Sequence, residues 1–229
     1  MKIAIINKST LVSAADVTRM TAAVYRQVKW QVSKAWELKP PLVVEAADEA
    51  SAPVGATKVM IFDDADVAGA LGYHDVGPDG LPYGKVFAKV SLDNNVSVSS
   101  VLSHETCEIV GDAHANYWAD APDGKSYALE LCDPVESDSY MINVNGVNVE
   151  VSNFVTPDFF DTVQVAGAKF DWLGKLTAPF TMTKGGYLIV RTDGTASQVF
   201  GEEFPEWKKV SKLERLGSRT RKRLGLAKL

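Results

Sequence analysis

The chain has 229 residues and a mass of 24.8 kDa, the size of one large domain or of one domain with an appendage. Hydrophobic residues make up 46% and charged residues 23%, a composition that excludes collagen-like, coiled-coil and wholly disordered chains. No apolar run approaches the ~20 residues of a membrane span, and the N-terminal apolar stretch is too short for a signal peptide. Two cysteines, Cys107 and Cys132, fit a reducing compartment. We therefore expect a globular protein made in the cytoplasm, with no membrane partner.

Charge is distributed unevenly along the chain. Residues 207–229 hold nine Lys or Arg against one acidic residue, a net +8, which leaves 15 basic and 28 acidic residues, a net −13, in residues 1–206. This asymmetry predicts an acidic body at 1–206 and a basic arm at 207–229 that also carries five leucines. The arm is expected to bind an acidic protein surface, including another copy of the chain, and to be the only part that could contact nucleic acid. A solvated C-terminal helix is the alternative interpretation.

The first half of the chain predicts a strand, a long helix, further strands and a second helix. A strand at 2–7 precedes a helix from Ser13 or Ala14 to about Leu38, which Pro40-Pro41 would end. β-Branched runs predict strands at 42–45, 58–62 and 83–90. The Gly- and Pro-rich stretch 75–84 predicts a loop. Apolar residues at helical spacing predict the second helix at 96–113.

The second half is predicted to be rich in β-structure, so the chain as a whole is expected to be an α+β protein. Short strands are predicted at 127–132, 140–144, 147–154, 187–191 and 197–200. The pairs Asn145-Gly146 and Asp193-Gly194 suit two-residue hairpin turns, because both central positions tolerate positive φ.

The second helix carries the densest group of metal-ligating residue types. His104 and Glu108 are four residues apart and lie on one helical face, close enough to hold one metal ion. Glu105 occupies the position of the general base in HExxH zinc hydrolases, although a glutamate replaces the second histidine and gives HExxE. Gly111 and His114 extend the spacing to that of the metzincins, in which the glycine turns the chain so that a third histidine reaches the metal. An amphipathic helix with outward charges and no metal is the alternative.

The remaining ligand has four candidates, ranked in the order His114, Glu130, Asp133 and Asp112. Glu130 lies in a predicted strand between Leu129 and Leu131, where a buried carboxylate requires a partner such as a cation. Thermolysin-like enzymes take a downstream glutamate at a similar distance. The predicted zinc ligands are thus His104, Glu108, His114 and Glu130, with Glu105 as the catalytic base.

These motifs resemble those of a family of poorly characterised proteins encoded by tailed bacteriophages and prophages. The similarity covers roughly residues 60–200 and lies in His104-Glu105-x-x-Glu108 with Asp112, in Glu130-x-Cys132-Asp133-Pro134-Val135-Glu136, in residues 151–160, in Ala178-Pro179-Phe180 and in Gly185-Gly186-Tyr187. The resemblance implies a zincin-like fold and a place in the phage particle. The arm at 207–229 would then bind other virion proteins or copies of the same chain.

Three functions follow from these observations. The leading hypothesis is a virion structural protein of zincin-like fold with a weak or vestigial metal site, because a carboxylate ligand makes zinc less Lewis-acidic than a histidine does. The second is an active zinc-dependent peptidase or other hydrolase that uses Glu105 as general base. The third is a bacterial housekeeping domain without metal.

Overall fold

The computed structural model describes residues 1–209, and within them it confirms the predicted α+β class. The first half is built on a five-stranded mixed sheet in the order β2-β1-β3-β5-β4. Its strands are β1 (Lys2–Asn7), β2 (Leu42–Ala46), β3 (Thr57–Phe62), β4 (Gly72–Val76) and β5 (Pro82–Phe87). Strands β2, β1, β3 and β5 run parallel to one another, and the edge strand β4 runs antiparallel to β5.

The first helix closely follows the predicted pattern. Helix α1 (Ala14–Gln27) begins at Ser13, whose side chain accepts a hydrogen bond from the Asp16 amide, a typical N-cap. It continues through a π-helical turn (Val28–Val32) into α2 (Ser33–Ala35). Its apolar residues Val17, Met20, Val24, Val28 and Val32 are buried in the main core. The helix ends slightly before Leu38, where Glu37 adopts a positive φ of 52°.

Helix α4 is buried on almost every side. A short helix, α3 (Ala88–Asp93), precedes α4 (Val98–Asp112), and the predicted apolar stripe of α4 is buried as expected. The opposite face is buried as well, because α4 lies between strands β4 and β5 on one side and strand β9 on the other. The predicted alternative, in which the charged residues of this helix face solvent, is therefore wrong.

The second half forms a four-stranded antiparallel sheet and a separate hairpin. The sheet has the order β11-β10-β7-β6 and contains β6 (Trp118–Asp120), β7 (Ser126–Ala128), β10 (Tyr187–Thr192) and β11 (Thr195–Phe200). The hairpin pairs β8 (Ser139–Val144) with β9 (Val147–Ser152). Both predicted two-residue turns are confirmed, since Asn145, Gly146, Asp193 and Gly194 all have φ between 50° and 88°.

Three predicted boundaries are wrong. Half of the segment 75–84 is strand, since β4 extends to Val76 and β5 starts at Pro82, and the loop is limited to residues 77–81; a proline is tolerated as the first residue of a strand. The strand predicted at 83–90 ends at Phe87, where α3 takes over. The strand predicted at 127–132 ends at Ala128, so Glu130 lies in irregular chain that packs on α4 and not in a sheet.

The start of the predicted basic arm contacts the body. Trp207 packs against the main core, and Lys208 is buried with its Nζ 3.5 Å from Glu136 Oε1. Residues 210–229, which make up most of the arm, lie outside the described residues. Among residues 1–209, every helix is too short or too polar to cross a membrane.

Candidate metal centre

Two elements and one connecting segment bring histidines and carboxylates together in the interior. Helix α4 supplies His104, Glu105 and Glu108, the edge strand β4 supplies His74, and the chain that follows β7 supplies two further acids. These acids are Glu130 and Asp133, and all six residues are buried. Buried charged groups of this kind are rare unless they pair with one another or bind metals.

The first group of donor atoms is centred on His104. His104 Nε2 lies 3.1 Å from Glu108 Oε1 and 3.2 Å from Asp133 Oδ1. The three side chains could hold one metal ion, since one ligand atom from each lies within 4.8 Å of the others. A tetrahedral zinc with bonds of about 2.0–2.1 Å places neighbouring donor atoms about 3.4 Å apart. The donor separations and the mixed imidazole and carboxylate chemistry therefore fit zinc.

A second group is centred on His74. His74 Nδ1 lies 3.2 Å from Glu108 Oε2 and 3.7 Å from Glu105 Oε2, and these three residues satisfy the same 4.8 Å criterion. The other ring nitrogen, Nε2, lies 3.2 Å from the Asp112 carbonyl oxygen and 3.9 Å from Glu130 Oε2. Glu108 therefore belongs to both groups, with one carboxylate oxygen facing each imidazole.

Gly72 allows helix α4 to approach strand β4 closely enough for these contacts. A Cβ at Gly72 would lie 2.8 Å from Val101 Cγ1 and 2.9 Å from Glu105 Oε1, both closer than carbon and oxygen atoms pack. Because side chains alternate along a strand, Gly72 and His74 face the same side of the sheet. The missing side chain two residues before His74 therefore makes room for the helix that carries its carboxylate partners.

Both acidic and basic side chains border the centre. Within residues 1–209, the acids are Glu105, Glu108, Glu130, Asp133 and Glu136, and the basic groups are His74, His104 and Lys208. Buried ionised groups are costly unless they pair with one another or bind a metal ion.

The carboxylates favour protonation of both imidazoles when only protons are available. Burial lowers the pKa of His74, but hydrogen bonding to Glu105 and Glu108 and the charge of Glu130 outweigh burial and raise it to about 10. Burial likewise opposes the charged form of His104, and the charge of Glu108 with hydrogen bonds to Asp133 and Glu108 raises the pKa of His104 well above its usual value. Burial raises the pKa of Glu108, but the charges of His104 and His74 and the hydrogen bonds to them together outweigh burial and lower the pKa well below its usual value. Metal ions and protons would compete for the same ring nitrogens.

The structure brings some of the predicted site residues together and leaves others apart. His104 and Glu108 lie together as expected, and Glu105 lies beside them facing His74. Glu130 is buried with its Oε2 3.9 Å from His74 Nε2. His114 lies after the end of α4 and is exposed, so neither group of donor atoms includes it.

Gly111 does not have the role that the metzincin spacing predicts for it. Gly111 lies inside α4 and does not turn the chain. A Cβ there would lie 2.2 Å from Leu131 Cδ1, so the glycine allows the segment that carries Glu130 and Asp133 to pack directly on the helix. The turn comes later, where Asp112 Oδ2 accepts hydrogen bonds from the amides of Asn116 and Tyr117, each at 2.7 Å.

A small cavity adjoins the first group. His104, Glu105, Glu136 and Lys208 line it together with apolar residues of α4 and of the chain before β4. It has about 30 Å³ of space accessible to water, enough for one or two water molecules. Lys208 lines this cavity, so the beginning of the predicted arm is part of its wall.

Comparison with known protein families, curated proteins and solved structures finds no match to this chain.

The sequence did not indicate that His74 or Lys208 lies at the centre, and it placed Lys208 in the basic arm at 207–229. In the sequence, His74 directly precedes the loop predicted at 75–84, which is rich in glycine and proline. The available signal was the scarcity of histidine, since His74 is one of only three in the chain. Asp133, which ranked third among the candidate ligands, is the acid that contacts His104.

Proposed function

We propose that this protein is a metal-binding structural component of a phage particle with a zincin-like fold. The observation that carries the metal-binding part is the convergence of His104, Glu108 and Asp133 on one another in the interior. The HExxE motif on a buried helix beside a mixed sheet with an antiparallel edge strand supports the zincin-like part. The phage particle is supported by the resemblance carried by residues 60–200.

In this proposal His104, Glu108 and Asp133 hold zinc, which accepts both imidazole and carboxylate ligands. The ion would join α4 to the segment that follows β7, two parts of the chain that are otherwise connected by packing and hydrogen bonds. It would also neutralise part of the buried negative charge. The function of the metal is then to stabilise the fold.

A structural role fits the surroundings of the centre better than catalysis does. The adjoining cavity has room for one or two water molecules, and Lys208 and Glu136, whose charged groups lie 3.5 Å apart, line it. Two carboxylate ligands would also leave zinc a weaker Lewis acid than two histidines. Assembly would use the basic arm at 207–229, whose charge is opposite to that of the body, to bind other virion proteins or copies of this chain.

The metal assignment predicts a difference between two histidine variants. His104→Ala is expected to lower the zinc content of the purified protein by about one equivalent and to weaken zinc binding about 100-fold or more, because it removes a direct ligand. His114→Ala is the matched control, since it removes the exposed histidine of the same motif, and it should leave zinc content unchanged. Elemental analysis with calorimetric titration measures both. Equal zinc content in His104→Ala and the unmodified protein would contradict the assignment.

Hydrolysis is the second candidate function, and one observation favours it. Glu105 and His104 line the same cavity, so a carboxylate is placed where a general base could take a proton from a water molecule.

In an active enzyme, Glu105→Gln is expected to lower turnover of fluorescently labelled casein by about 100-fold to 10,000-fold. The metal at His104 should stay in place. Turnover that Glu105→Gln leaves unchanged would exclude Glu105 as the base.

A further inference from the structure

The histidine of the edge strand is not used by the metal centre proposed above. His74 is fully enclosed and has carboxylates on both sides of its ring. We propose that His74, Glu105 and Glu108 hold a second divalent cation, and that Glu108 bridges the two ions through its two oxygens. This inference rests on the proposed function, because the first ion is the one held at His104.

The orientation of Glu108 is the first support for a bridged pair. Glu108 Oε1 is 3.1 Å from His104 Nε2, and Glu108 Oε2 is 3.2 Å from His74 Nδ1. Each oxygen therefore has a different imidazole nitrogen at the separation expected for two donors on one ion. Sites with two metals place the ions about 3.5–4 Å apart, a spacing that a single bridging carboxylate can span.

The ring of His74 is held in the orientation that a ligand requires. Its Nε2 lies 3.2 Å from the Asp112 carbonyl oxygen, so an N–H at Nε2 can donate to that carbonyl. The tautomer that results leaves the lone pair of Nδ1 directed at Glu105 and Glu108. Histidines that bind metals generally donate their other ring N–H to a carbonyl or carboxylate in this way.

The donor atoms of the second group indicate which kind of ion it would take. His74 offers an imidazole nitrogen, and Glu105 and Glu108 offer carboxylate oxygens. The nitrogen and oxygen donors suit a first-row divalent metal such as zinc or manganese.

The test uses the full chain loaded with Mn²⁺ or Zn²⁺. The unmodified protein is expected to bind about two equivalents, and His74→Ala and His104→Ala about one each, while His114→Ala, the exposed control, keeps two. Two Mn²⁺ ions joined by Glu108 should give an exchange-coupled paramagnetic resonance spectrum. Each single-site variant should give the six-line spectrum of an isolated ion. His74→Gln serves in place of His74→Ala if the smaller side chain prevents folding.

The outcomes separate this inference from the proposed function. One equivalent in the unmodified protein, lost in His104→Ala and retained in His74→Ala, would overturn the second ion and keep the first. Two equivalents that His74→Ala does not reduce would also overturn it, because the second ion would lie elsewhere. Absence of bound metal at any concentration tested would overturn both.

Discussion

Removal of metal by a chelator is expected to lower the thermal unfolding midpoint of this protein by about 8–16 °C. A ligand present at about 1,000 times its dissociation constant stabilises the folded state by about 4 kcal/mol. For a chain of this size, each kcal/mol shifts the midpoint by about 2–4 °C. The physical reason is that the proposed ion would bind the folded chain and not the unfolded one, so its binding free energy would add to the stability of the fold. Scanning calorimetry with and without EDTA measures the shift, and added zinc should reverse it.

The histidine variants provide the controls for this experiment. His104→Ala should start from a lower midpoint and respond less to EDTA than the unmodified protein, because it has already lost one ion. His114→Ala should respond like the unmodified protein. An unmodified protein whose unfolding midpoint is the same with EDTA as with zinc would show that the cluster is stable without metal.

The contact between Gly111 and Leu131 is expected to be a second large determinant of stability. Leu131 is fully buried in the main core, so Leu131→Ala should lower the free energy of unfolding by about 2–5 kcal/mol. Gly111→Ala should lower it by about 1–3 kcal/mol, because the added methyl group overlaps Leu131. In an unobstructed helix the same substitution would stabilise by about 1 kcal/mol, so the expected sign is reversed. Urea unfolding of the two variants measures both effects.

A double-mutant cycle isolates this contact. When Leu131 is shortened to alanine, the methyl group added at position 111 has room, and the cost of Gly111→Ala should disappear. The combined variant should therefore be less destabilised than the sum of the two single variants, by about 1–3 kcal/mol. Strict additivity would mean that the overlap is relieved by movement elsewhere in the chain.

Under the proposed function, helix α4 links the stability of the fold to metal binding. This one helix supplies core residues such as Leu102 and Ile109 and also three of the proposed metal ligands. Because it is enclosed by the mixed sheet on one side and by β9 on the other, most of its polar residues are buried and have little access to bulk water. Each must find a partner inside the protein. A metal centre satisfies several of them at once.

The sequence by itself determined the features that depend on neighbours in the chain. The capped start of α1 at Ser13, the two-residue turns at Asn145-Gly146 and Asp193-Gly194 and the placement of His104 and Glu108 on one helical face all followed from local rules. These rules act over four residues or fewer, since they concern backbone dihedrals, hydrogen bonds within one turn and the period of a helix.

Only the tertiary structure decided which distant residues meet. His74 reaches the centre because β4 turns back antiparallel on β5 and because Gly72 lets α4 approach. Asp133 reaches His104 because Leu131 packs against Gly111. His114, which the local spacing favoured, is exposed because the chain leaves the interior just after α4. Spacing along a helix places a side chain on a face, but the packing of other elements decides whether that face is buried and what it contacts.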